Sequence, residues 1–264
     1  MPHMNKYLLP NFTKFFEVRV KVEKGEQLLS KADIRAPRAD VERAQATDEL
    51  ASHQEAFKLV ERVFLLAGCE APHVVAFCGV DENTAAARIC ARTGEILARH
   101  TNSEVCLVDG NPQAPGLHEC FDADNVTGLA NASLEPGQIR SFVQPLNGGK
   151  LFLLTAGSHC TENGALWDSE QIPLRLAELR SEFSYVLVNA PPVNRHIGAT
   201  LFGRMSEGVV LVLESNQTLR ETARKAKEDL EAAGVRLFGA VFTNRKFPIP
   251  ETIYKKLVTG FSGG

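Results

Sequence analysis

Three short polar stretches, each at the end of an apolar run, carry the residues of this chain that could do chemistry. Gly79 follows the run His73–Cys78 and leads through Asp81, Glu82 and Asn83 to Thr84. Asp109 closes a second run, Glu104–Asp109, ahead of Gly110 and Asn111, and Tyr185–Val188 runs into Asn189, Ala190, Pro191 and Pro192. The first stretch has the layout of a phosphate cradle. A buried strand, a glycine turn and a helix opened by a hydroxyl residue bring backbone N–H groups and a positive helix end to one point. That chemistry calls for a lysine just before the Ser/Thr, and the chain has no lysine between Lys58 and Lys150. The carboxylate of Asp109 belongs to the strand-end edge where open α/β sheets bind ligands. The seven histidines show no metal-ligand spacing, and no Ser/His/Asp or Cys/His set stands out. His118 and His196 fall near the expected site edge, where a lone histidine is usually structural.

The elements that must position these residues follow from the hydrophobic pattern. Phe57, Val60, Val63, Phe64 and Leu66 give one apolar face to a helix over residues 48–68. After the strand at His73–Cys78, Ile89, Ile96 and Leu97 recur at helical spacing behind Thr84. A short helix is expected around Gly116–Phe121, then a loop-rich stretch over residues 122–149, broken by Pro136, Gly137, Pro145, Gly148 and Gly149. Leu151–Thr155 is a strand. Asp168–Glu182 is a helix with Leu174, Leu176 and Leu179 expected on its buried side. Val209–Leu213 is a strand, Thr218–Ala233 an amphipathic helix stopping at Gly234, and Phe238–Phe242 the last strand, running into Thr243, Asn244 and Arg245. Strands that are apolar throughout, alternating with helices, argue for a parallel sheet covered on both faces.

Composition narrows the rest. The 264 residues are 44% hydrophobic and 23% charged, enough for one large α/β domain over residues 49–264. Residues 1–48 read as an arm packing on a neighbour or as partial disorder; Phe15–Val22 alternates like a strand within it. A net charge of -3 offers no basic field for nucleic acid. Six scattered cysteines without a CxxC suit small buried hydrophobes in a reducing compartment. No signal peptide and no bilayer-spanning stretch is expected, which points to a cytoplasmic protein.

The order of these landmarks resembles the cytoplasmic kinase domain of the bacterial tyrosine kinases (BY-kinases), which act in capsule and exopolysaccharide export. They belong to the MinD/ParA-like deviant P-loop ATPases. The resemblance covers residues 50–258 and is most specific at LVDGNPQAPGLHECF (107–121) and VLVNAPPV (186–193). It implies an α/β, three-layer P-loop NTPase-like fold with a mostly parallel sheet and helices on both faces. It also implies a nucleotide site, of which Gly79, Thr84, Asp109 and Asn244 would be vestiges; Asn244 matches a position that contacts adenine in this class.

The motifs depart from the family at the charged positions. The Walker A ending, Gly-Lys-Ser/Thr-Thr, falls on Asp81, Glu82, Asn83 and Thr84 when aligned on the helix, or on Thr84, Ala85 and Ala86 when aligned on Gly79; neither register supplies a lysine. The Walker A′ Asp-x-Asp is Asp109-x-Asn111, and the Walker B Asp-x-Pro-Pro is Asn189-x-Pro191-Pro192. The family's C-terminal tyrosine cluster has no counterpart after Tyr254, and its Glu-x-x-Arg-x-x-Arg oligomerisation motif reads Glu55-x-x-Lys58-x-x-Glu61. Phosphoryl transfer rests on positioning and charge neutralisation. At about 4 Å and an effective dielectric of about 20, each unit-charge pair is worth roughly 4 kcal/mol, so acid in place of lysine reverses a large effect. Magnesium prefers anionic oxygens, whereas Asn111 and Asn189 offer neutral amides. Asp81, Glu82 and Asn83 also suit a plain helix cap, and Asp109 a plain strand-end polar group.

The sequence therefore leads to a catalytically degenerate BY-kinase-like domain, a pseudokinase with no metal and no resident cofactor. By resemblance it would be a regulatory or binding partner in exopolysaccharide production. Its partner would be a membrane-embedded polysaccharide chain-length regulator, which could recruit it to the inner face of the membrane, or an active kinase paralogue. Self-assembly through the helix around Glu55–Phe64 fits the same resemblance. Two alternatives stand beside this reading. One is a weakly active ATPase or tyrosine autokinase that uses ATP and magnesium. The other is a ParA/MinD-like positioning factor.

Overall fold

A computed structural model of the chain describes residues 16–19, 56–66, 71–82, 85–146, 148–158, 170–215 and 217–243. The expected helix over residues 48–68 is seen as α1, residues 56–65, whose second half, Glu61–Leu65, winds as a π-helix. Strand β2 (Val74–Gly79) is buried at all six positions and leads towards α2 (Ala85–Thr101). Asn102, with φ 52°, takes the left-handed turn that ends this helix. Then come β3 (Val105–Asp109), the single-turn α3 (Leu117–Cys120), α4 (Leu129–Leu134), a 3-10 turn at Ile139–Phe142, and the short β4 (Gln144–Pro145) paired with β5 (Leu151–Leu154). Helix α5 (Gln171–Glu182), β6 (Tyr185–Ala190), α6 (Gly198–Met205), β7 (Gly208–Glu214), α7 (Arg220–Ala232) and β8 (Leu237–Thr243) complete the series. Strand β1 (Phe16–Arg19) lies along the outer edge of β8.

The eight strands form one sheet in the order β1-β8-β7-β2-β6-β3-β5-β4, parallel throughout except for the β4–β5 pair. Alternate residues of each strand feed two cores. Val75 and Phe77 pack with residues of α1, α2 and α3, among them Phe64, Ile89 and Leu117. Val74, Ala76 and Cys78 pack on the opposite face with α4, α5, α6 and α7, through Leu129, Leu176, Phe202 and Leu230. This is the three-layer α/β architecture, and period-two alternation between two apolar faces explains why the strands read as unbroken apolar runs.

Three expectations need amendment. Residues 122–149 are not merely loop, since α4, the 3-10 turn and β4 lie within them. Gly128 makes an isolated parallel bridge with Thr155, and a Cβ there would sit 2.2 Å from the Thr155 carbonyl oxygen, so only glycine fits. Helix α5 buries Ile172, Arg175, Leu176 and Leu179 while Leu174 is 56% exposed. Arg175 turns inward because Nε, Nη1 and Nη2 donate to the carbonyls of Ala132, Gly137 and Glu135 at 2.7–2.8 Å, groups left unpaired at the end of α4. Cys78, Cys90 and Cys106 are buried as expected, but Cys120 is exposed. Four residues of the N-terminal segment belong to the sheet as β1; Cys69, Cys160 and the other residues of that segment lie outside the described residues.

Candidate functional site at the carboxyl edge of the sheet

Strand order decides which polar residues meet. Because β6 lies between β2 and β3, the C-terminal ends of these three strands place Gly79, Asn189 and Asp109 side by side. Asp109 is the direct register partner of Asn189, and Phe77 flanks Asn189 on the other side. These residues are buried, Asp109 at 1% and Asn189 at 2% exposure.

The Asp109 carboxylate is the hub. Oδ2 accepts the N–H groups of Gly116 at 2.8 Å and Leu117 at 2.9 Å, which tethers the start of α3. Oδ1 accepts the N–H of Asn111 at 3.2 Å and the side-chain Nδ2 of Asn189 at 3.0 Å. Burial pushes the Asp109 carboxyl above its ordinary value, against the pull of the Leu117, Asn189, Gly116 and Asn111 donors. Gly110 donates to the Asn189 carbonyl at 2.9 Å, and a Cβ at Gly110 would lie 2.5 Å from the Phe202 ring of α6. Asn111 is buried with its Oδ1 unbonded, as is Nδ1 of the half-buried His118 on α3.

The segment after β6 folds over the end of β2. Val193 N–H donates to the Gly79 carbonyl at 3.0 Å and Asn194 N–H to that of Val80 at 3.3 Å. The same segment meets the acidic pair: Asn194 Nδ2 lies 3.4 Å from Asp81, and Arg195 Nε lies 3.8 Å from Glu82. Glu82 and Arg195 are well exposed, at 63% and 60% of the side chain, so their pairing is weak.

The structure thus brings Gly79, Glu82, Asp109, Asn111 and Asn189 to one edge. Asn83, Thr84 and Asn244 lie outside the described residues. Sequence reasoning missed Asn194 and Arg195. The available signal was position: they are the first polar residue and the first cation after the Pro191-Pro192 turn. Among the described residues there is no group of three or more His, Cys, Asp or Glu that could hold a metal.

No protein-family model matches the chain. It is 27% identical over 168 residues to the tyrosine-protein kinase YwqD of Bacillus subtilis, covering 64% of this chain and 69% of YwqD. It is 27% identical over 143 residues to a Staphylococcus aureus protein, CapB, named "Putative tyrosine-protein kinase CapB", covering 54% of this chain and 62% of CapB. Among solved structures, the kinase domain of the Escherichia coli tyrosine kinase ETK superposes with a TM-score of 0.69 at 16% identity, over 88% of this chain and 92% of that domain. That likeness carries the fold and no more.

Proposed function

We propose that this homologue of the bacterial tyrosine kinases is a catalytically degenerate member, a pseudokinase that serves as a binding or regulatory partner in capsule or exopolysaccharide production. The observation that supports this most directly is the hub at Asp109. Both of its oxygens are engaged by N–H donors of the protein: three are backbone groups, and the fourth is the side-chain amide of Asn189 at the Walker B position. A magnesium ion needs free anionic oxygens there. In this reading the residues do not fit a magnesium nucleotide: the metal side is a saturated carboxylate with a neutral amide, and the phosphate side carries Asp81 and Glu82 without a lysine. What the fold then offers is surface. No helix among the described residues is long and apolar enough to cross a membrane, so this reading assigns the membrane contact to the partner, a membrane-embedded chain-length regulator or an active kinase paralogue.

Isothermal titration of ATP with magnesium tests the reading. We expect no saturable heat. Micromolar binding with release of inorganic phosphate would establish instead a weakly active ATPase or tyrosine autokinase. One observation favours that second reading: Arg195, 3.8 Å from Glu82, is a cation delivered to the loop from another segment of the chain.

A further inference from the structure

We infer that the side-chain amide of Asn189 is a built-in substitute for a divalent cation, holding the ends of β3 and β6 together so that the carboxyl edge keeps one arrangement without metal or nucleotide. The inference rests on the degenerate reading above and adds a role for a single positioning residue.

Asp109 and Asn189 face each other across neighbouring parallel strands, 80 positions apart in the chain, and both are almost wholly buried. Two carboxylates in this register would repel at close range in a water-poor setting, and a cation or a shared proton between them would have to relieve the repulsion. An asparagine on β6 replaces that requirement with a neutral donor, here at 3.0 Å from Asp109 Oδ1 on β3. The bond does more than close a pair. Asp109 also anchors Asn111, Gly116 and Leu117, and the chain leaving β6 hydrogen-bonds the carbonyls of Gly79 and Val80 through Val193 and Asn194. The ends of β2, β3 and β6 and the start of α3 are therefore one connected unit, and among the described residues the amide–carboxylate bond is the side chain–side chain hydrogen bond that links β3 to β6.

The test is thermal unfolding of the full chain and of Asn189→Asp, each in EDTA and in millimolar magnesium or manganese, with no nucleotide present. The expected result is a wild-type Tm that does not respond to the metal. Asn189→Asp should melt lower in EDTA by about 4 °C or more and recover at least half of that loss when metal is added. Asp109→Asn combined with Asn189→Asp restores one amide–carboxylate pair. It should melt higher than Asn189→Asp in EDTA and show no metal response, which keeps the test decisive even if Asn189→Asp folds only in metal. An Asn189→Asp protein as stable in EDTA as wild type, or one whose loss metal does not relieve, would overturn the inference while leaving the degenerate reading intact. Calorimetric binding of ATP with magnesium to the wild type would remove the degenerate reading itself.

Discussion

Four N–H donors converge on the Asp109 carboxylate, yet burial outweighs them and its carboxyl titrates above 3.8, the ordinary value. The sign of the pH effect follows. A group whose folded pKa is raised contributes its full stability below the unfolded pKa and loses it as pH rises through the folded pKa. Asp109→Asn makes this measurable. An asparagine must turn its NH2 towards donors that need an acceptor, so the variant should lose about 1–3 kcal/mol at neutral pH. In urea unfolding, the gap between wild type and Asp109→Asn should widen as pH falls through the folded carboxyl's pKa towards the ordinary carboxylate value, because only the wild type gains. A gap that narrows on acidification would contradict the assignment. At this scale the sequence carried the identities of the site residues, through the spacing of strand ends and the departures at Glu82, Asn111 and Asn189. It could not carry the bond from Asn189 to Asp109, which depends on β6 lying next to β3, nor the reach of Arg195 to Glu82. Cys120 shows the same limit. It lies exposed on α3, yet its thiol is pushed up to about 11, chiefly by burial of the sulfur and against the pull of Arg88, so exposure of the residue does not make it reactive.

Strands were legible as elements because the sheet is covered on both faces, so each one is a continuous apolar run between polar turns. Helices with a mixed surface were harder. In α5 the apolar pattern nominated Leu174, but the position that faces inward is Arg175, whose guanidinium closes three carbonyls of the neighbouring segment and lies over the Phe142 ring. Unpaired carbonyls leave no trace in hydropathy. Helix α6 escaped notice for another reason: it is short and contains Gly198 and Gly203, the latter set close against Val235. A pair of substitutions separates the two accounts of α5. Arg175→Lys keeps the charge but loses the planar fork and should cost about 2–3 kcal/mol. Leu174→Ser, on the exposed side, should stay within about 0.5 kcal/mol of wild type. Denaturant midpoints with unchanged slopes are the measurement; equal losses would return Leu174 to the core.

For the molecule as a whole, β1 has the position of an edge cover. It pairs in parallel with β8, Phe16 opposite Gly239 through Arg19 opposite Phe242, and so occupies hydrogen-bonding groups that would otherwise line an open margin. Removing residues 1–19 should leave that margin bare, and light scattering should then show concentration-dependent self-association that the full chain does not show. A monodisperse truncated chain would mean that β8 is protected in some other way. The arm was only half legible: Phe15–Val22 alternated like a strand, but nothing in it named the strand that it would join. The position of β2 has a different consequence, and it concerns synthesis. This central strand pairs only with β6 and β7, both made from the later half of the chain. A nascent polypeptide that has already exposed Val74–Gly79 must wait for more than a hundred further residues to be translated before the middle of its sheet can close. Until then, this apolar strand has no lateral partner, and whatever shields it on the ribosome matters as much as any contact in the finished fold.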